Sequence, residues 1–204
     1  MKVGFLGGSF DPIHLAHLVM ADSCLDLAGL DRVTFVVAAS PPHKQDRRLA
    51  PAADRLAMTR LAVADHPGIT VDDREMRRSG PSWTIDTVRG LLADHPPPDR
   101  LSWIIGADSL PELVLWRDIE QLLDIVGFIT AVRPGYDIEA ALAALEPRLG
   151  SERVRRLAAG VIHMPRLEIS STDIRRRIAG GHSLRYLVPD AVTAYIRRNQ
   201  LYSD

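Results

Sequence analysis

Val3-Gly4-Phe5-Leu6-Gly7-Gly8-Ser9-Phe10-Asp11-Pro12-Ile13-His14-Leu15-Ala16-His17 is the stretch that decides the fold. Its first residues form a short, continuous apolar run, the pattern of a strand buried on both faces. Two glycines and a polar turn follow, and helical periodicity begins near His14. Strand, glycine turn and helix together open a parallel α/β unit. At such a turn the glycines let the backbone approach a ligand closely and take dihedrals that a Cβ forbids. The helix start adds unpaired N–H groups and the positive end of a dipole. The junction is therefore an anion site before any charged side chain is counted.

The same alternation continues outward. Apolar runs at 33–38, 103–105 and 127–132 read as further buried strands, with shorter candidates at 69–71 and 161–164. Between them, a helix from 14 to 28 is stopped by Gly29, and Pro51 fits the first turn of another that ends before Pro67. Ile85, Val88, Leu91 and Leu92 form a helical stripe, and 138–145 is an alanine-rich helix. This order predicts an open α/β sheet, doubly wound and parallel, with ligands at the carboxyl ends of its strands where strand order reverses. Pro96-Pro97-Pro98 reads as a stiff surface connection rather than a linker. Two short helices, 171–179 and 189–198, are separated by Gly180-Gly181 and read as a small C-terminal helical subdomain. The expected division is a core over 1–168 and that subdomain over 169–204, which would complete the site.

Length and composition bound the rest. A chain of 204 residues with 46% hydrophobic content can bury one substantial core. Its formal net charge of −1 gives no footprint for nucleic acid or an anionic membrane, so any phosphate site must be built locally. The single cysteine, Cys24, cannot form an internal disulfide or a thiolate zinc cage. With no leader pattern and no apolar run of membrane-spanning length, a cytoplasmic protein is expected. The sequence leaves a homo-oligomer open.

Two clusters carry chemistry. His14 and His17 are spaced to share one helix face, from which both imidazoles would reach the same phosphate chain. The residues alone also allow surface imidazoles or half of a metal site. No further cluster supplies the remaining zinc ligands, and neither a P-loop nor a Gly-x-Gly-x-x-Gly fingerprint is present. Near the other end, Ile169-Ser170-Ser171-Thr172-Asp173-Ile174-Arg175 combines a capping box, hydroxyls and an arginine one turn inside a helix. The residues alone favour an ordinary capped helix with a solvated basic face over a second anion site.

The first cluster resembles the Gly-Gly-Thr/Ser-Phe-Asp-Pro-x-His-x-Gly-His motif of the nucleotidylyltransferase superfamily, which is Rossmann-like. The second resembles that superfamily's Ile-Ser-Ser-Thr-x-Ile-Arg motif. Pro41-Pro42-His43-Lys44, Ser82-Trp83-Thr84-Ile85-Asp86-Thr87, Ile104-Ile105-Gly106-Ala107-Asp108 with Trp116, Arg133-Pro134-Gly135 and Tyr186-Leu187-Val188-Pro189 extend the likeness over nearly the whole chain. They narrow it to the family of bacterial nicotinate mononucleotide adenylyltransferases.

The resemblance implies adenylyl transfer from ATP, with Mg²⁺ carried on the ATP oxygens, to nicotinate mononucleotide. It implies that Gly7, Gly8, Ser9 and Phe10 hold the phosphates together with His14 and His17. Ser171, Thr172 and Arg175 would grip the departing pyrophosphate, and Lys44 would add charge. Gly106 and Asp108 would contact the adenosine. Trp83, Thr84 and Trp116 would form the pyridine pocket, although core packing also explains either tryptophan. Ala16 stands where the motif usually has glycine, and Trp83 where it usually has tyrosine. The rivals are a sister transferase acting on nicotinamide mononucleotide or phosphopantetheine, and a catalytically silent nucleotide binder.

Overall fold

The computed structural model describes residues 1–42 and 49–203. Among them, strands β1 (Lys2–Gly8), β2 (Arg32–Val37), β3 (Ile69–Asp72), β4 (Arg100–Gly106), β5 (Gly127–Val132) and β6 (Val161–His163) form one sheet in the order β3-β2-β1-β4-β5-β6. Every adjacent pair is parallel. This is the predicted doubly wound, Rossmann-like sheet. Strand order reverses between β1 and β4, whose carboxyl ends are Gly7-Gly8 and Gly106.

Successive strand residues point to opposite faces, and both faces here are apolar. Val3, Phe5, Trp103, Ile105 and Phe128 face one core. Into it pack α3 (Thr84–Asp94), α4 (Ile119–Ile125), α5 (Ile138–Leu149) and α6 (Ser151–Ala159). Leu6, Phe35, Ile104 and Ile129 face a second core. It is covered by α1 (Leu15–Leu27), α2 (Ala52–Ala62), α7 (Ser171–Ala179) and α8 (Asp190–Arg198). The C-terminal helices thus share a core with α1 and α2. Tyr195 of α8 donates to Asp54 Oδ1 of α2 at 2.8 Å, and Leu15 N–H donates to the Leu187 carbonyl at 3.0 Å.

The helix opened by Pro51 ends at Ala62, before Pro67 as expected. The bound of α5 moves: it runs on through Pro147 to Leu149. A 3₁₀ segment, Ala107–Leu115, leaves β4. No helix of the described residues is long and apolar enough to cross a membrane.

Two close approaches fix the first turn. A Cβ on Gly7 would collide with the Trp103 indole. One on Gly8 would come within 2.8 Å of the Phe10 ring, which folds back beneath the turn. Phe10 itself has φ 45°, a left-handed conformation that is costly for a bulky residue. Its ring is buried and meets Phe35 and His17 edge to face, each at 5.1 Å between centroids.

Candidate active site

A cleft of about 360 Å³ opens at the reversal point. Gly7, Gly8, Ser9, Phe10, His14 and His17 line one side of it, and Ser171, Thr172 and Arg175 the other. Gly106 and Asp108 line it from the end of β4. The two clusters, at opposite ends of the sequence, are directly bonded. The Ser171 hydroxyl donates to the Pro12 carbonyl at 3.0 Å, and Arg175 Nη1 donates to the Asp11 carbonyl at 2.6 Å.

The histidines are arranged differently from two residues on a helix face. His14 is the extended residue before α1, with φ −150° and ψ 171°, and His17 lies in the first turn. Their rings nonetheless stack, with centroids 3.7 Å apart and planes 19° from parallel. His14 N–H donates to His17 Nδ1 at 3.3 Å, which caps the helix start. A neutral His17 accepting there carries its proton on Nε2 and is a donor at that atom.

His14 is buried, and its Nδ1 has no hydrogen-bond partner among the described residues. An orphaned buried nitrogen beside a cleft is what a ligand oxygen or a water satisfies. Burial and, secondarily, the nearby Arg133 charge hold the His14 pKa down to about 4. At neutral pH His14 is therefore a neutral, hydrogen-bonding imidazole, and Arg133 and Arg175 bring fixed positive charge to the cleft.

This has a consequence for stability. An unfolded histidine takes up its proton below about pH 6.5, whereas folded His14 resists until about pH 4. Between those values the unfolded chain binds more protons, so stability falls as pH is lowered through the window, by on the order of 3 kcal/mol. Asp124, held at about 2 by Arg153 and Arg156, loses its contribution only below the ordinary carboxylate range. Urea midpoints at about pH 7 and about pH 4.5 should therefore draw apart in the native chain and much less in His14→Gln. Parallel losses in the two proteins would exclude His14 as the source.

At the second anion site Ser170 caps α7, its Oγ accepting from Asp173 N–H at 3.1 Å. The Ser171 hydroxyl proton is committed to Pro12, so the N–H groups of the helix start are the donors left for an anion. Arg175 Nη2 donates to Thr172 Oγ1 at 3.2 Å, which leaves the Thr172 hydroxyl proton available. Gly106 lets the Asp108 carboxylate lie against the backbone: a Cβ there would meet Asp108 Oδ1 and displace it. Ala16 is buried against the cleft wall, and its methyl occupies space that glycine would leave.

Trp83, Thr84 and Trp116 lie together around a separate small cavity of about 80 Å³, with Pro42, Ser82 and Arg117. The 3₁₀ segment after β4 links the two places, running from Asp108 in the cleft toward Trp116 in the small cavity. Both tryptophans also pack on the larger core, so cavity wall and core packing coexist in them. Lys44 lies outside the described residues.

Sequence reasoning assigned no role to four residues at or beneath the site. Arg133 follows β5 and lines the cleft; its place at a strand's carboxyl end was the available signal. The Arg117 guanidinium lies over the Trp83 ring, 5.5 Å from its centroid. Asp11 and Arg55 are buried beneath the cleft's first turn, and nothing in the local sequence marks Arg55. A larger cavity, about 820 Å³, opens at the amino-terminal ends of β1, β4 and β5, between residues such as Lys2, Arg100 and Gly127. It contains none of the expected site residues.

Residues 5–177 match the family model described as cytidylyltransferase-like. A Symbiobacterium thermophilum protein named probable nicotinate-nucleotide adenylyltransferase is 48% identical over 204 residues, covering 98% of this chain and 95% of its own. A Thermus thermophilus protein of the same name is 43% identical over 202 residues, covering 99% and 100%. The solved structure of Plasmodium falciparum nicotinic acid mononucleotide adenylyltransferase complexed with NaAD matches with a TM-score of 0.78 at 20% identity, covering 98% of this chain and 97% of that one. At that identity the likeness speaks for the fold.

Proposed function

The chain belongs to the cytidylyltransferase-like family, and from that premise we propose that it transfers the adenylyl group of ATP to nicotinate mononucleotide, giving nicotinate adenine dinucleotide and pyrophosphate. The observation that carries the reading is the single cleft shared by the Gly7–His17 turn and the Ser171–Arg175 helix start, bonded to each other through Asp11 and Pro12. Relatives at 48% and 43% identity over nearly the full chain bear the corresponding name.

A phosphate oxygen of the mononucleotide attacks the α-phosphorus of ATP in line. The bond to the α–β bridging oxygen breaks, and its electron pair leaves with pyrophosphate. No protein nucleophile is needed, so catalysis consists of positioning and charge stabilisation. The turn at Gly7, Gly8, Ser9 and Phe10 brings backbone to the phosphates. His14 and His17 donate to oxygens whose charge grows, and Arg133 sits behind them. Ser171, Thr172 and Arg175 at the start of α7 hold the leaving end, and Lys44 adds charge. Segment 169–204 thereby completes the ATP site as a small helical subdomain.

Mg²⁺ would come with ATP as part of the substrate, and would neutralise charge on the triphosphate. Asp108 takes the ribose hydroxyls. Trp83 and Trp116 enclose the pyridine ring, and the N–H groups at the start of α3 receive its carboxylate.

The deciding assay supplies MgATP with nicotinate mononucleotide, nicotinamide mononucleotide or phosphopantetheine and reads pyrophosphate. Release with the first, and at least about tenfold lower kcat/KM with the others, is expected. No release at saturating nicotinate mononucleotide rejects the reading. Release only with another acceptor reassigns the small cavity.

A further inference from the structure

Asp11 places a carboxylate, 1% exposed, directly beneath a cleft assigned to an anion. A buried charge persists only when donors surround it. Here they come from segments far apart in sequence. Ala50 N–H donates to Oδ1 at 3.0 Å, and the Tyr202 hydroxyl donates to the same oxygen at 2.8 Å. Arg175 Nη1, already bonded to the Asp11 carbonyl, stands 3.5 Å from Oδ2. Arg55 supplies further positive charge to the carboxylate.

Tyr202 is brought in deliberately by the end of the chain. Leu201 N–H closes on the Ile196 carbonyl of α8 at 3.1 Å. Gln200 at φ 52° and Tyr202 at φ 63° both take left-handed conformations that non-glycine residues adopt at a cost. Burial and the neighbouring Asp11 push the hydroxyl's ionisation well above its usual range, so it stays a proton donor.

We propose that Tyr202 is a positioning residue for the phosphate site: by holding Asp11 Oδ1, it leaves Oδ2 and the Asp11 carbonyl to fix the Arg175 guanidinium at the cleft edge. The role rests on the adenylyl-transfer reading for its consequence in turnover. Without the hydroxyl, Oδ1 keeps, among the described residues, the Ala50 N–H alone. The remaining demand of the buried carboxylate falls on Arg175, whose side chain is 27% exposed and able to move. A guanidinium drawn onto both oxygens turns inward, away from the triphosphate.

The test is a double-mutant cycle in the full chain. Tyr202→Phe should raise KM for MgATP about five- to tenfold, with KM for the mononucleotide unchanged and kcat within about threefold. In an Arg175→Ala background the same change should add nothing to KM for MgATP. Removal of residues 202–204 should reproduce the shift and serves as the second variant if the phenylalanine protein melts early. An unchanged KM for MgATP in both variants overturns the proposal, and so does an equal shift with and without Arg175. A lower melting temperature with unaltered KM overturns it as well, since that is a purely structural role. Should the wild type release no pyrophosphate, the functional reading fails by itself. The cycle is then read by ATP calorimetry on the same proteins, where loss of the coupling with Arg175 overturns the positioning role.

Discussion

Replacing His17 with alanine is expected to lower kcat by about 10²- to 10³-fold while the chain stays folded. His17 has two duties that can be separated. Its Nδ1 accepts from His14 N–H and caps α1, and that acceptance leaves the proton on Nε2 as the donor for phosphate charge. The ring is held by the stacked His14 at 3.7 Å and by the edge of Phe10 at 5.1 Å. Alanine removes both duties. Asparagine can keep an oxygen near the Nδ1 position and so retain the cap, but has nothing where Nε2 lies. Glutamine can place an amide N–H near Nε2 instead. If the Nε2 donor carries catalysis, His17→Asn should be nearly as slow as His17→Ala, with a melting temperature closer to wild type, and His17→Gln should recover part of the rate. Steady-state assays with circular dichroism melts decide this. Asparagine restoring turnover would make His17 a helix cap and nothing more; unchanged turnover in alanine would remove it from the mechanism.

The parts of the fold that were legible share one property: their information is local. The strand at 127–132 and the helix at 171–179 were read with the bounds the structure has, because a continuous apolar run and a Ser170 cap are written in adjacent residues. The C-terminal bound of α5 was misread because Pro147 normally argues against continuation, yet the helix carries on to bury Leu149. The helix α6 was missed because Val154 and Leu157 are a thin apolar signal in a charged stretch, and Gly150 at φ 82° turns the chain into it abruptly. Within the site, the Gly7–His17 and Ser171–Arg175 segments were legible from their own residues as separate candidate anion sites, and the family resemblance joined them around one triphosphate; the bonds that join them, Ser171 to Pro12 and Arg175 to Asp11, are encoded in neither segment alone. The sequence around Arg133 marks no role for it, although its position after β5 places it on the cleft. Tyr202 and Arg55 were invisible for a stronger reason: each acts on backbone or carboxylate groups far away in sequence, and only the folded chain supplies their partners.

Arg55→Met is expected to destabilise the protein by about 3–5 kcal/mol, the range for removing one partner from a buried charged network. Arg55 is 1% exposed, in the first turn of α2, and burial presses its pKa downward. Four of the five guanidinium N–H groups donate to backbone carbonyls. Nη1 donates to the Ser9 and Ala38 carbonyls at 2.8 and 2.6 Å, Nη2 to Ala39 at 3.1 Å and Nε to Ala50 at 2.9 Å. One side chain thus ties the turn after β1, the chain leaving β2 and the residue entering α2, while its charge faces Asp11. Methionine fills similar volume but leaves four carbonyls without that donor and a buried carboxylate undercompensated. For a chain of this length the loss corresponds to a fall in melting temperature of roughly 6–20 °C. Arg55→Lys should fall in between, since an ammonium keeps the charge but lacks the planar fork that serves three directions at once. Because Ser9 belongs to the phosphate turn, KM for MgATP should rise in both variants even well below their melting temperatures. Melting within about 2 °C of wild type for Arg55→Met would show that water replaces the guanidinium at little cost. The first phosphate turn would then be held by Gly7, Gly8 and the Phe10 ring rather than from below.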